Sequence, residues 1–154
     1  MGQRRPLADR EGCVNREFGM AVKVFISHSS VDTWVAKQIA SHIHSCGVET
    51  FLDEASTHYG DDFEQRILSA VRECEELLVL ITPWSVERPY VWMEIGAFWG
   101  SQRRIVGVLH GITAKALAAH ERMPVALKRS HLIDLNDIES YFLQLKTRCA
   151  SGIV

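Results

Sequence analysis

The run Leu77–Thr82, LLVLIT, decides the fold. Its aliphatic residues are unbroken by any polar alternation, and Glu75-Glu76 and Pro83 bound it at a length too short for a helix. A strand that is apolar on both faces must be covered on both faces, which means a parallel sheet with helices above and below. Upstream, Val22–Ser27 (VKVFIS) is another strand, rich in β-branched and aromatic residues and ended by His28, Ser29 and Ser30. Between the two, Val35, Ile39, His42, Ile43 and Cys46 fall on one face of a helix that opens near Asp32 and stops at Gly47. Val48–Asp53 follows as a strand and Glu54–Gly60 as a loop. Phe63, Ile67, Ala70, Val71 and Cys74 then repeat the helical stripe behind Asp61 and Asp62, whose carboxylates suit a helix N-terminus.

Downstream of Pro83, a loop to Pro89 leads into a short helix over about Tyr90–Trp99. Ile105–Leu109 reads as a fourth strand, residues 112–121 as an alanine-rich helix, and His131–Ile133 as a short fifth strand beyond Pro124. Asn136 is expected to cap a last helix carrying Ile138, Phe142 and Leu145. Strands alternating with helices predict an α/β, flavodoxin-like, three-layer domain with a five-stranded parallel sheet joined by right-handed crossovers. The second strand carries Glu49 and Thr50 and the fifth is short, so both suit sheet edges, and the predicted order is 2-1-3-4-5. Ligands in that order sit beyond the carboxyl ends of strands one and three, where the winding reverses. The search for function narrows to His28–Ser30 and to the loop and helix after Thr82.

The 154 residues amount to one domain, and a chain of that size buries about 70% of its unfolded surface, enough for a self-sufficient core. With 47% hydrophobic and 23% charged residues, the composition excludes disordered, collagenous and membrane-embedded classes. The 17 basic and 19 acidic residues nearly cancel, so neither nucleic acid nor a membrane surface is expected as a partner. No run approaches the roughly 18 apolar residues of a membrane span. Arg4 and Arg5 precede no export signal and Pro6 spoils a myristoylation motif, so a cytoplasmic protein is expected. Cys13, Cys46, Cys74 and Cys149 are scattered, without a CxxC pair or a histidine at zinc-ligand spacing, so no metal site is expected. Cys46 and Cys74 close apolar stripes and read as small buried hydrophobes. Residues 1–20 hold four arginines, three acids and few aliphatics, which predicts a polar, disordered tail ahead of a domain over 21–154, with Met20 as an alternative start.

Several chemistries are excluded at the switch point. The turn after strand one has no glycine, and neither GxGxxG nor a Walker sequence occurs. A receiver domain's acidic cluster and phospho-accepting aspartate are replaced by His28-Ser29-Ser30 and Thr82-Pro83-Trp84, and HExxH, GxSxG and SxxK are absent. What remains is Glu94, on the border of the stripe formed by Val91, Ile95 and Phe98 and about 100° from Ile95. Spacing leaves two readings open. Glu94 is either partly desolvated among Tyr90, Trp92 and Phe98, or it faces water and pairs with Arg103 or Arg104.

Three blocks, KVFISHSSVDTW (23–34), VETFLDEASTHYGDDFEQRILSAV (48–71) and LLVLITPWSVERPYVWMEIGAFWG (77–100), resemble the TIR (Toll/interleukin-1 receptor) domain, particularly its bacterial, NAD-cleaving forms. The resemblance runs in register over about residues 21–148. It implies a catalytic glutamate within a WxxxE-like segment on the helix after strand three. The matching stretch is Tyr90-Val91-Trp92-Met93-Glu94, so Glu94 takes the glutamate's place and Tyr90 the tryptophan's, with Trp92 as a neighbouring ring. It also implies a substrate site lined by His28, Ser29 and Ser30, with Asp53, Trp84, Tyr90 and Trp92 on its rim. Phe51 either supports the nicotinamide end or belongs to the core, and Trp34 is expected to pack at the start of the first helix.

The activity so implied is that of an NAD+ nucleosidase, cleaving the nicotinamide–ribose bond to give nicotinamide and ADP-ribose or a cyclic variant, in bacterial immune defence or virulence signalling. NAD+ is then the substrate, and no cofactor or metal is needed. Residues 53–60 match the BB loop, which implies homo-oligomerisation through TIR–TIR contacts. The lack of a separate sensor domain implies activation by a sensor protein or a second messenger. Two other readings stand beside this one: a non-catalytic TIR adaptor, and a nucleoside deoxyribosyltransferase-like enzyme of similar architecture.

Overall fold

In the computed structural model, which describes residues 22–52, 63–121, 123–129 and 131–152, the run around Leu77 is the middle of a five-stranded sheet. The strands are β1 (Lys23–Ser27), β2 (Glu49–Leu52), β3 (Glu76–Ile81), β4 (Arg104–Leu109) and β5 (His131–Asp134). Their order is β2-β1-β3-β4-β5 and every neighbouring pair is parallel, as predicted. Every residue of β3 is buried, whereas the edge strands β2 and β5 have no fully buried residue. The tail at 1–20, Asp53 and the loop 53–60 lie outside the described residues.

The side chains of β3 alternate between two layers. Leu77, Val79 and Ile81 pack under α2 (Phe63–Glu73), α3 (Pro89–Gly100) and α5 (Val125–Arg129). Leu78 and Leu80 pack under α1 (Thr33–Ser45) and α6 (Glu139–Ser151). In α1 the buried residues are Ala36, Ile39 and Ile43; His42, read as part of the stripe, is exposed and lays its ring on Phe142 at 5.3 Å. Cys74 is fully buried and Cys46 only half-buried.

Three local expectations need correction. The alanine-rich helix shrinks to α4 (Ala114–Ala118), started by the Thr113 hydroxyl accepting from the Ala116 N–H, and a separate short α5 follows Pro124. Before α6, the Asp134 carboxylate accepts from both the backbone and the side-chain amide of Asn136. Asp134, not Asn136, is the capping residue, and a single 3-10 turn over Leu135–Asp137 precedes the helix. Trp34 does not pack: it is 72% exposed. Among the described residues no helix is long and apolar enough to cross a membrane.

At the amino end of β3 the buried Glu76 carboxylate ties the α6 layer to the sheet. It accepts from the Tyr141 hydroxyl at 2.7 Å and from Arg148 Nη1 at 2.7 Å, and Arg104 Nε lies 3.1 Å away. Burial, with the neighbouring Glu76 charge, pushes the Tyr141 phenol far above its usual range, so it stays a donor. Removing one member of such a cluster is costlier than the cluster is stabilising, because the survivors stay buried without compensation. Glu76→Ala is therefore expected to lower unfolding free energy by about 3 kcal/mol or more in urea titrations, and an unchanged midpoint would contradict the assigned role. Burial also pushes the Cys74 thiol up to about 11. Mass spectrometry after iodoacetamide treatment at pH 8 should find Cys74 unmodified in the native protein and alkylated after unfolding.

Candidate active site

The last residues of β1 and β3 meet where the winding reverses, and the site grows from there. Strand alternation puts Ser27 on the same face as Phe25, under α3. Its hydroxyl donates a hydrogen bond to Glu94 Oε2. Ser27 is 0% and Glu94 3% exposed, so the pair is sealed between helix and sheet. Of the two readings left open by spacing, burial is the one realised, and Arg104 pairs with Glu76 instead. A buried carboxylate needs such donors, since desolvation without them costs several kcal/mol.

An aromatic floor lies beneath this pair. Phe51 stacks on Phe25 at 5.4 Å, and Phe25 on Phe98 at 5.6 Å. Phe25 precedes Ser27 by one pleat and Phe98 follows Glu94 by one helical turn, so the stack runs one layer below the carboxylate. Phe51 is half-buried in it and also borders a cavity of about 200 Å³ with Arg66, Ser69 and Glu73.

The loop after β1 supplies further polar groups. His28 is 9% exposed, with Nε2 at 3.3 Å from Thr33 Oγ1. Ser29 is 1% exposed, and its hydroxyl finds no hydrogen-bond partner among the described residues. Buried hydroxyls are ordinarily satisfied, so this one is a donor and acceptor in reserve. Ser30, by contrast, is exposed at the start of a single 3-10 turn.

Across the crevice, the buried Asp32 carboxylate accepts from the Thr82 hydroxyl at 2.7 Å. Thr82 Oγ1 in turn accepts from the Ser85 N–H at 3.1 Å, while Ser85 Oγ accepts from the Thr82 N–H at 2.8 Å. Asp32, read from sequence as a helix-start residue, makes no side-chain cap; its carboxylate bolts the two loops of the switch point together.

The other rings divide. Trp84 and Tyr90 are 52% and 58% exposed, on the segment that leads from β3 into α3. Trp92 lies two residues from Glu94, about 200° around the helix, where it packs partly buried and faces the His120 ring at 6.1 Å. The structure thus gathers Glu94, His28 and Ser29 near the carboxyl end of β1, puts Phe51 below and Tyr90 and Trp84 outside, and turns Trp92 away. Sequence reading passed over Ser27, Asp32, Thr82 and Ser85 as site residues; the available signal was a polar residue closing each of two otherwise apolar strands. Among the described residues no group of three or more His, Cys, Asp or Glu side chains could hold a metal ion.

Residues 24–146 match the TIR domain family. A curated relative, "Probable 2' cyclic ADP-D-ribose synthase BdTIR" of Brachypodium distachyon, is 28% identical over 145 residues, covering 93% of this chain. The match spans 63% of that protein, under two thirds of its length. Two solved structures share the fold. The TIR domain of the Toll-related receptor TRR-2 from Hydra magnipapillata superimposes with a TM-score of 0.61 at 18% identity, covering 82% of this chain and 95% of that one. The TIR domains of the activated Roq1 resistosome give 0.58 at 14% identity, covering 87% and 100%. The family match over residues 24–146 does not single out the bacterial forms of the family.

The bolt between the loops is testable by stability alone. Thr82→Val leaves a buried carboxylate short of a donor and is expected to cost about 1.5–3 kcal/mol in chemical denaturation. Combined with Asp32→Ala, the two losses should be strongly non-additive; simple additivity would show that the bond contributes nothing.

Proposed function

This chain belongs to the TIR domain family, and from that premise we propose that it is an NAD+ nucleosidase in which Glu94 is the catalytic carboxylate. The observation that carries the reading is the burial of Glu94 at the switch point, on the helix after β3, with its carboxylate oriented by Ser27. The Brachypodium relative, named as a probable 2' cyclic ADP-D-ribose synthase, supports chemistry on the same bond.

Nicotinamide in NAD+ carries a positive ring charge and departs as a neutral molecule, taking the electron pair of the bond to ribose C1′. The ribosyl centre left behind is cation-like. A fixed carboxylate stabilises that charge in a water-poor site far better than in solution, and also holds the ribose hydroxyls in place. Ser27 acts as a positioning residue: its O–H fixes the carboxylate without neutralising it. In this reading the Ser29 hydroxyl binds ribose or phosphate, and the exposed Tyr90 ring covers the nicotinamide. Attack by water on C1′ gives ADP-ribose and a proton; attack by an oxygen of the same nucleotide gives a cyclic product and a proton. The two-carboxylate arrangement of ordinary glycosidases is not required, because the leaving group needs no protonation.

In the same reading the working form is a homo-oligomer in which residues 53–60 contact a neighbour, switched on by a sensor protein or second messenger in immune defence or virulence signalling. The adaptor reading draws on a different observation, the exposed Val31, Trp34, Trp84 and Tyr90, which suit a contact surface.

Incubating the purified chain with NAD+ and quantifying nicotinamide by chromatography separates the readings. Turnover is expected, reduced about 100-fold or more by Glu94→Gln. Ser27→Ala should lower kcat with little change in KM, and Ser27→Thr should restore part of the loss. Absence of nicotinamide at every protein concentration would leave the adaptor, and turnover of free nucleosides but not of NAD+ would indicate a deoxyribosyltransferase-like enzyme.

A further inference from the structure

The amino ends of β4 and β5 hold a group of side chains that NAD+ cleavage leaves unused. Arg103 and Arg104 lead into β4, His131 opens β5 and Trp99 lies in the last turn of α3; with Ile105 and Ala126 they line a cleft of about 230 Å³. Helix α3 runs back along the sheet, so Trp99 lies about 7.5 Å further along its axis than Glu94 and about 140° around it. The cleft and the switch point therefore open at different ends of the molecule.

Charge and shape in this cleft fit one kind of ligand. The Glu76 carboxylate is shared by two guanidiniums, Arg148 at 2.7 Å and Arg104 at 3.1 Å, which leaves an excess of positive charge. Arg103 adds to it, since it makes no ion pair among the described residues. No lining residue is acidic. A guanidinium presents planar N–H donors that match the oxygens of a phosphate. Beside them Trp99 is 53% exposed, an indole face available for a flat ring to stack on. The cleft, about 230 Å³ and open to solvent, brings one ring and the cations to a common surface, as one base and its phosphate require.

We propose that this cleft is a second binding site, for a nucleoside monophosphate whose base stacks on Trp99 and whose phosphate is held by Arg103 and Arg104. The site is separate from Glu94 and does not depend on NAD+ cleavage. Arg104 lines the cleft with its Nε committed to Glu76, and Arg103 supplies the uncommitted charge.

Calorimetric titration of the full chain with AMP, adenosine and inorganic phosphate tests this directly. AMP should bind more tightly than either fragment, because it engages ring and cations together. Arg103→Ala and Trp99→Ala are each expected to weaken AMP by about tenfold or more, while Glu94→Gln leaves its affinity unchanged. Both variants alter accessible side chains, and circular dichroism verifies their folding. Failure of AMP to bind at millimolar concentration would overturn the proposal, as would equal binding to the parent and both variants. Loss of binding in Glu94→Gln with retention in Arg103→Ala would place the nucleotide at the switch point instead. Phosphate binding as tightly as AMP would remove the stacked base, and with it the assignment.

Discussion

A carboxylate sealed between a helix and a sheet persists only where donors are held against it, and the bond from Ser27 to Glu94 meets that requirement across the seam. The geometry around it follows from that need. Ser27 must close β1 on the face that looks toward α3, so the register of β1 beside β3 is fixed by more than aliphatic packing. The stacked rings of Phe51, Phe25 and Phe98 fill the layer beneath and keep water from the carboxylate's inner side. The Asp32–Thr82 bond then holds the loops after β1 and β3 together.

A second buried glutamate sharpens the contrast. Glu76 sits at the opposite end of β3 with a phenol and two guanidiniums around it, so its charge is neutralised in place and its role is to join layers. At Glu94 the described bond comes from a hydroxyl, that of Ser27, which orients the carboxylate. One residue type thus serves as a structural tie at the amino end and, in the proposed function, as the reactive group at the carboxyl end. The general rule that open parallel sheets place their ligand chemistry beyond the carboxyl ends of the strands agrees with this division.

Much of the architecture is legible in the chain because it is local. LLVLIT requires burial on both faces, the polar Glu49 and Thr50 suit an edge, and the strand order follows; every strand falls within one residue of its expected bounds. Short helices are harder, since the five residues of α5 bury only Ala126 and Leu127 among those whose exposure is described and leave no stripe to read. The site is legible only in part. Glu94 stands out by its place after β3, yet its offset of about 100° from Ile95 is compatible with water or core. What decides is Ser27, 67 residues away in sequence. Asp32 likewise looks like a helix-start residue until Thr82, 50 residues away, is seen to donate to it. Trp92 was separable from Glu94 by helix geometry alone, because two residues span about 200°. The exposure of Trp34 and Trp84 had no local signal, since an aromatic at a helix start or loop packs or projects according to distant neighbours.

In the proposed function, substrate lies over the carboxyl end of β1, against the Ser27–Glu94 pair and the Ser29 hydroxyl. The most direct test is a backbone amide NMR titration of the full chain with carba-NAD, an NAD+ analogue whose ribosyl bond does not cleave. Saturable shifts centred on Ser27, His28, Ser29 and Glu94, and weakened by Ser29→Ala, are the predicted result. Shifts that leave these residues unmoved while changing others would contradict it.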